Sequence, residues 1–329
     1  MDHTAKQLAA AWTGGVETLV SPAVFNRAYA TNHLGLFPLT TGTGNSIGQH
    51  GEILQGQLED SSSRKRRFLL SLPCNLLHSK VVFAPSHGSS LEVVPSHKEK
   101  VRRVVKLTLG HFGLDSIGGR LTVETNIEEG KGYGSSTADC VAAARATADA
   151  IGQSLTEEEL ARIVVDAEIA SDNFMFKDAV LFAHREGTAI EKFGIPIPRM
   201  DVLGFDAQAD DTVYTLEFPP AMYTWRQVQG FHTLVSGLRR GIREGDIALI
   251  GRVATASAMI NQEFLPKPKF PEIRAIARTA NALGIAVAHS GTVLSILLNA
   301  WDARLEEKVT QIRKDLGSLG ISKVLRFQT

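Results

Sequence analysis

The sequence predicts a fold that mixes α-helices with β-strands, built as one large domain or as two fused lobes. The chain has 329 residues, of which 43% are apolar, so it can bury a sizeable core. Short β-branched and apolar runs separated by prolines occur between residues 68 and 94, which is typical of strands. From residue 223 onward the pattern changes and segments with helical spacing dominate, which indicates that a second unit begins there.

Before residue 223 we predict strands followed by helices. Residues 120–126 alternate apolar and polar positions and should lead the chain into a glycine-rich segment. Thr156 and Glu159 form a capping box, which predicts a helix that ends near residue 170. The remaining predictions are strands at 68–72, 80–84 and 91–94, a helix at 97–112, an apolar run at 179–184 and a strand-like run at 188–197.

After residue 223 we predict three helices and a small sheet. The helices cover 244–264, 271–283 and 301–317, and the strands cover 285–288, 294–298 and 324–327. Residues 1–40 show no clear period, and we expect them to form an N-terminal extension of unknown role.

Charge and cysteine usage exclude several classes of protein. The formal net charge is zero, which gives no support for a surface that binds nucleic acid or an anionic membrane. The two cysteines form neither a disulfide framework nor a metal-ligand set. Neither a targeting segment nor an apolar run long enough to span a membrane is visible, so we expect a cytoplasmic protein.

A glycine-rich segment leads directly into an alanine-rich helix between residues 127 and 150. Alternating glycines let the backbone bend and approach a ligand closely, and a helix N-terminus favours a phosphate through its free N–H groups. The P-loop and the dinucleotide fingerprint are both excluded by spacing. The alternative is a glycine-rich turn with a hydroxyl cap. The predicted phosphate-binding residues are Gly130, Gly132, Gly134, Ser135, Ser136 and Thr137.

Three motifs, in order along residues 42–300, resemble those of the GHMP kinases, which include galactokinase, homoserine kinase and mevalonate kinase. Residues 132–138, Gly-Tyr-Gly-Ser-Ser-Thr-Ala, resemble the second motif of this family. Residues 51–56, Gly-Glu-Ile-Leu-Gln-Gly, resemble its first motif as the L-threonine kinases of cobalamin synthesis spell it. Residues 288–293, Ala-His-Ser-Gly-Thr-Val, stand where the third motif falls.

The resemblance implies an α+β fold with two lobes and a nucleotide between them. Residues 41–222 are the expected ATP-binding lobe, of the ribosomal-protein-S5 domain 2-like type. Residues 223–329 are the expected C-terminal lobe, of ferredoxin-like character. ATP with Mg²⁺ is the implied cofactor.

The resemblance also assigns roles to residues outside the glycine-rich segment. Asp172 is the implied catalytic base, and Glu168 would hold Mg²⁺ together with Ser136. The related kinases have Glu-Pro-Thr-Asp here, whereas this chain has one residue more between the two acids. The alternatives are a turn acid for Asp172 and a structural histidine for His289. The other implied residues are His50, Glu52 and His289 for the substrate, and Ser290 and Gly291 for the nucleotide.

The implied activity is the ATP-dependent phosphorylation of the side-chain hydroxyl of a free hydroxy amino acid, with L-threonine as the first candidate. Two alternatives stay open: a kinase for another small alcohol such as homoserine, and an inactive ligand-binding sensor with the same fold. The expected partners are small molecules, with no nucleic acid and no membrane. The sequence leaves the oligomeric state open, with a homodimer as one alternative.

Overall fold

A computed structural model describes residues 39–208 and 221–329. The predicted N-terminal extension, residues 1–40, falls almost entirely outside the described residues. The described part mixes helices and strands, as predicted, and none of its helices is long and apolar enough to cross a membrane.

The strands of the described residues join into a single sheet with the order β10-β7-β9-β8-β1-β2-β4-β3, and β5 and β6 extend it from β2. Neighbouring strands are antiparallel except for β3 and β4, which are parallel. The strands are β1 (Gly42–Glu59), β2 (Lys65–His87), β3 (Leu91–Val94), β4 (Ile117–Thr125), β5 (Val180–Ala183), β6 (Thr188–Lys192), β7 (Asp201–Asp206), β8 (Gly284–Val287), β9 (Val293–Leu298) and β10 (Val324–Gln328).

The helices, numbered within the same described residues, pack against this sheet. They are α1 (Glu99–His111), α2 (Ser135–Ala150), α3 (Glu157–Glu168), α4 (Trp225–Glu244), α5 (Ile247–Asn261), α6 (Phe270–Thr279) and α7 (Leu305–Ser318). Helix α3 begins at the predicted capping box, in which Thr156 accepts a hydrogen bond from the Glu159 backbone and the Glu159 side chain accepts one in return.

Most predicted elements are present, with differences at β1, β2, β7 and α4. The predicted strands at 68–72 and 80–84 form one strand, β2, that continues through Pro73. Pro73 is tolerated because the register of β1 and β2 shifts beside it, where a ladder hydrogen bond is not required. Strands β1 and β7 and helix α4 were not predicted, although α4 has a capping box at Thr224 and a buried apolar stripe.

Helix α2 lies directly against β1, and glycines make this contact possible. A Cβ atom on Gly44 would lie 2.0 Å from the Ala142 carbonyl oxygen, and one on Gly42 would lie 2.2 Å from that of Ala146. Such distances exclude any side chain, so the backbone of β1 touches the backbone of α2. This contact fixes the position of α2 against the sheet.

The sheet does not divide at residue 223. Strand β7 precedes that residue, yet it pairs with β9 and β10, which both follow it. Strand β1 also pairs with β8 through Glu52 and Val287, which makes the sheet continuous between the two predicted lobes. The lobe boundaries at 41–222 and 223–329 therefore stay a prediction.

Candidate active site

The glycine-rich segment packs against the turn that joins β8 and β9. Gly132 has a φ of +97°, and a Cβ atom there would lie 2.2 Å from the Ser290 carbonyl oxygen. Gly291 has a φ of +83°, and its Cβ would lie 2.1 Å from the Lys131 carbonyl oxygen. The Thr292 N–H donates to that same oxygen over 3.0 Å. Both glycines are therefore required where two backbone turns touch.

The first turn of α2 opens into the adjacent cavity. Gly134, at the N-cap of α2, adopts the left-handed conformation and has no side chain to cap the helix. The first N–H groups of α2 therefore lack a side-chain cap, and together with the helix dipole they favour an anion. A Cβ on Gly134 would meet the ring of Phe174 at 2.5 Å and Asp172 Oδ2 at 2.8 Å. The glycine thus lets the 172–174 turn lie close to the start of α2.

Most predicted site residues line this cavity, which encloses about 180 Å³. It brings together the glycine-rich segment, the start of α2, the end of α3, the 170–172 turn and the β8–β9 turn. Its lining residues are Gln49, Leu69, Lys100, Gly130, Gly132, Gly134, Ser135, Ser136, Thr137, Glu168, Ala170, Ser171, Asp172, His184, His289 and Ser290.

Asp172 is held at the cavity wall by two hydrogen bonds. Gln49 Nε2 donates to Asp172 Oδ1 over 3.2 Å, and the Asp172 backbone N–H donates to Thr137 Oγ1 over 3.3 Å. Burial, with a smaller contribution from the negative charge of Glu168, raises the pKa of Asp172 to about 7. A carboxyl group with such a pKa can gain or lose a proton near neutral pH.

Glu168 is the second acid of the cavity, at the last residue of α3. Its Oε1 accepts a hydrogen bond from Ser136 Oγ and lies 3.3 Å from Lys100 Nζ. Its Oε2 is buried without a hydrogen-bond partner among the described residues. Burial raises the pKa of Glu168, with Lys100 opposing that shift.

Glu52, His184 and His289 form a polar cluster beside these two acids. Glu52 is almost fully buried, and neither carboxyl oxygen has a hydrogen-bond partner in the described part of the chain. Burial and the charge of Asp172 raise the pKa of Glu52 well above its usual value. The rings of His184 and His289 lie 5.1 Å apart, and burial lowers the pKa of both, that of His289 to about 4.

The structure does not bring three of the predicted residues, His50, Gly291 and Glu52, to the cavity wall. His50 is fully buried in the sheet, where Ser295 Oγ donates to its backbone carbonyl oxygen and lies 3.0 Å from Nδ1. Its ring lies 5.1 Å from that of Tyr133 and against Gly204. Gly291 supports the glycine-rich segment from behind and is not part of the lining. Glu52, the third of these residues, is buried and does not line the cavity either.

Four residues near the site were not predicted from the sequence. Gln49, Lys100 and His184 line the cavity. Lys267 is buried behind the β8–β9 turn, where its Nζ donates to the Gly291 carbonyl oxygen over 2.7 Å. No local pattern in the sequence places these four side chains at the site.

The donor set at Ser136 and Glu168 fits Mg²⁺. The described residues contain no group of three or more histidines, cysteines or acids able to hold a metal ion. Mg²⁺ does not need one, because it is commonly bound by one or two protein oxygens together with phosphates and water. The unpartnered Glu168 Oε2 and the adjacent Ser136 hydroxyl are oxygens of the required kind.

Comparisons with known proteins support the resemblance in family and fold. Residues 99–181 match the sequence model of the GHMP kinases N terminal domain. An L-threonine kinase of Citrobacter freundii is 31% identical over 196 residues, which is 55% of this chain and 62% of that relative. The match thus spans less than two thirds of the relative.

Solved structures share the fold over most of the chain. A homoserine kinase from Cytophaga hutchinsonii superposes with a TM-score of 0.64 at 16% identity, covering 88% of this chain and 94% of the other. A complex of MDDEF with MVAPP, AMPPCP and magnesium gives a TM-score of 0.59 at 14% identity, covering 88% and 100%. The α+β fold expected from the resemblance is therefore confirmed. Residues 99–181 match the GHMP kinase N-terminal domain, and the resemblance of the chain to the GHMP kinase family is confirmed.

Proposed function

We propose that the protein is an ATP-dependent kinase that phosphorylates the side-chain hydroxyl of a free hydroxy amino acid, with L-threonine as its substrate. The observation that carries this proposal is the position of Asp172 at the wall of the cavity into which the uncapped start of α2 opens. A candidate base and a candidate phosphate site therefore share one cavity, as transfer of a phosphoryl group to a hydroxyl requires.

The phosphates of ATP are proposed to lie on the glycine-rich segment and the first turn of α2. The structural neighbour with AMPPCP and magnesium supports a nucleotide and Mg²⁺ as cofactors. Ser136 and Glu168 would hold the metal ion, and Lys100 would add positive charge beside them. When bound, Mg²⁺ neutralises charge on the transferred phosphoryl group.

Asp172 is proposed to accept the proton of the substrate hydroxyl. A base works best when its pKa lies near the working pH, and the pKa of Asp172 lies at about 7. Gln49, which donates to one of its oxygens, would keep the other oxygen available to the substrate.

The choice of L-threonine is supported by the Citrobacter freundii relative, which is an L-threonine kinase. Homoserine is the second candidate, because a structural neighbour is a homoserine kinase. A catalytically inactive sensor is disfavoured, because Ser136, Glu168 and Asp172 all face the same cavity.

A screen for ADP release tests the proposal. The purified chain, supplied with ATP and Mg²⁺, is assayed against L-threonine, L-serine, L-homoserine and D-threonine, each compared with a reaction without acceptor. We expect the highest kcat/KM with L-threonine. A highest value with L-homoserine would replace the substrate, and nucleotide binding without acceptor-dependent ADP release would favour the sensor. A cytoplasmic location and a homodimer stay predictions.

A further inference from the structure

The ring of His289 lies at the cavity wall, and its neighbours determine which of its two nitrogens carries the hydrogen. Its Nδ1 lies 2.8 Å from Oε1 of Gln55, a buried residue of β1. Which of the two atoms donates depends on how the Gln55 amide is oriented, because its oxygen and nitrogen exchange places when the amide is flipped.

The backbone of β8 settles the orientation of the Gln55 amide. Gln55 Nε2 lies 3.3 Å from the Val287 carbonyl oxygen. A carbonyl oxygen only accepts hydrogen bonds, so the amide group that faces it must be the NH₂. The other amide atom, next to His289, is therefore the oxygen, and it also accepts a hydrogen bond from Asn261 Nδ2 over 3.2 Å.

The tautomer of His289 follows from this arrangement. An amide oxygen cannot donate, so the hydrogen between the two residues belongs to His289 Nδ1. Because burial lowers the pKa of His289 to about 4, the ring is neutral at physiological pH and carries only this one N–H. Nε2 is therefore a hydrogen-bond acceptor, and its partner has to be a donor.

Other acceptors without partners surround His289. Gln49 Oε1 is buried without a partner among the described residues, and Glu52, whose pKa burial raises well above its usual value, adds one acceptor and one O–H group. Unpartnered buried acceptors cost free energy that a ligand with suitable donors recovers. The ring nitrogens of His184 also lack partners in the described part of the chain, and as a neutral histidine it adds one N–H and one acceptor. With His289 Nε2 and Gln49 Oε1, acceptors still outnumber donors in this cluster. An ammonium group, with three N–H donors and no acceptor, matches such a surface.

We infer that Nε2 of His289 accepts a hydrogen bond from the α-ammonium group of the substrate, and that Gln55 is the positioning residue that fixes the required tautomer. The inference rests on the proposed function, since it assigns the chemistry by which the same cavity selects an amino acid. It makes the ammonium group, in addition to the hydroxyl, a requirement for recognition.

The tautomer is measured directly by ¹⁵N nuclear magnetic resonance of the full chain labelled at histidine, without any turnover. We expect His289 to carry its hydrogen on Nδ1 in the wild-type protein and in Asn261→Ala, which removes the other contact to the same oxygen. Gln55→Leu should populate the Nε2–H tautomer, and Gln55→Glu, which keeps an oxygen acceptor, should restore Nδ1–H. A wild-type ring protonated on Nε2 would overturn the inference even if both Gln55 variants fail to fold.

Ligand selection is tested by titrating the same sample with L-threonine, 1-amino-2-propanol and 3-hydroxybutyrate. The first two carry an amine, and the third carries the hydroxyl and carboxylate without it. We expect the two amines to shift the His289 Nε2 resonance and 3-hydroxybutyrate to leave it unchanged. In Gln55→Leu the Kd for the amines should rise about tenfold or more, the loss of one hydrogen bond to a charged group.

The outcomes separate this inference from the proposed kinase activity. Amine binding at Nε2 without ADP release would leave the recognition intact and refute the kinase. The recognition would be refuted, and the kinase left intact, by ADP release with L-threonine together with either of two results. In the first, 3-hydroxybutyrate shifts the Nε2 resonance as much as the amines do; in the second, neither amine shifts it.

Discussion

Replacing Asp172 with asparagine should stabilise the folded protein while it abolishes most activity. The pKa of Asp172 is raised from 3.8 to about 7, so the folded state favours the protonated carboxyl. Below pH 3.8 both the folded and unfolded states hold the proton, and the raised pKa has no effect on stability. Between the two values the unfolded state ionises and the folded state does not, so stability falls as pH rises. Above about pH 7 the loss is complete.

The magnitude follows from the size of the shift. Each pKa unit corresponds to about 1.4 kcal/mol, so a shift of roughly three units gives an upper bound of about 4 kcal/mol. Asparagine removes the charge and retains an oxygen that can accept a hydrogen bond from Gln49. Its NH₂ group replaces the second carboxyl oxygen, and the loss of that acceptor reduces the gain in stability. We therefore expect Asp172→Asn to gain about 1–3 kcal/mol in unfolding free energy at pH 8 and nothing at pH 4.

The assay is urea unfolding of the wild type and Asp172→Asn from pH 4 to pH 8, without nucleotide or Mg²⁺. Asp178→Asn, the same substitution at an exposed acid six residues further on, is the matched control and should follow the wild type. Turnover of Asp172→Asn should fall by about 10²–10⁴-fold, as expected for loss of a general base. If the unfolding free energies of the wild type and Asp172→Asn differ by the same amount at every pH, the raised pKa of Asp172 is refuted. Turnover of Asp172→Asn above a tenth of the wild-type value would refute Asp172 as the base.

Three further predictions concern the phosphate site and its support. Gly134→Val should lower nucleotide affinity, measured by calorimetry, at least tenfold, about 1.4 kcal/mol, because its Cβ meets the ring of Phe174. The control Gly152→Val, also at positive φ but in open space, should retain the wild-type affinity. Ser136→Ala should raise the Mg²⁺ concentration needed for half-maximal turnover, and a Mg²⁺ titration identical to that of the wild type would exclude Ser136 as a ligand. Thr156→Ala should lower the unfolding free energy by about 1 kcal/mol with kcat unchanged, since it removes a cap and not a site residue; unaltered stability would show that the capping box contributes nothing.

Local patterns predicted the elements whose signals lie within a few residues. The capping box before α3, the glycine-rich segment before α2 and the apolar runs of β8 and β9 each specify their own conformation. Helix α4 could have been predicted as well, because its capping box at Thr224 precedes buried residues at helical spacing.

The face on which a β1 side chain lies could not be predicted. Residues 48–57 of β1 are all buried, because the strand is covered on both sides, so the usual alternation of apolar and polar positions is lost. The register of β1 and β2 also shifts between Gln49 and Glu52 and again before Leu54, which changes the direction in which successive side chains point. His50 therefore lies in the core, whereas Gln49 lines the cavity.

The remaining site residues meet only through the fold. The contact between Gln55 and His289 joins residues 234 positions apart, and that between Gln49 and Asp172 joins residues 123 apart. No local pattern records such a contact, and one hydrogen bond to Val287 decides the tautomer of His289. The chemistry of the substrate end of the cavity thus depends on atoms that the motifs do not include.

The extra residue between the two acids has a structural consequence at the cavity. Ile169 ends α3 with a φ of +76°, which is rare for a β-branched residue, and its side chain is 61% exposed. This turn lets Glu168, the last residue of α3, accept a hydrogen bond from Ser136, while Asp172, four residues later, contacts Gln49 at the cavity wall. The strained backbone, the raised pKa values of both acids and the unpartnered Glu168 oxygen are all unfavourable in the free protein, and they occur together. In the proposed function, a cation at Glu168 and a substrate hydroxyl at Asp172 would supply partners that the free protein lacks at this turn.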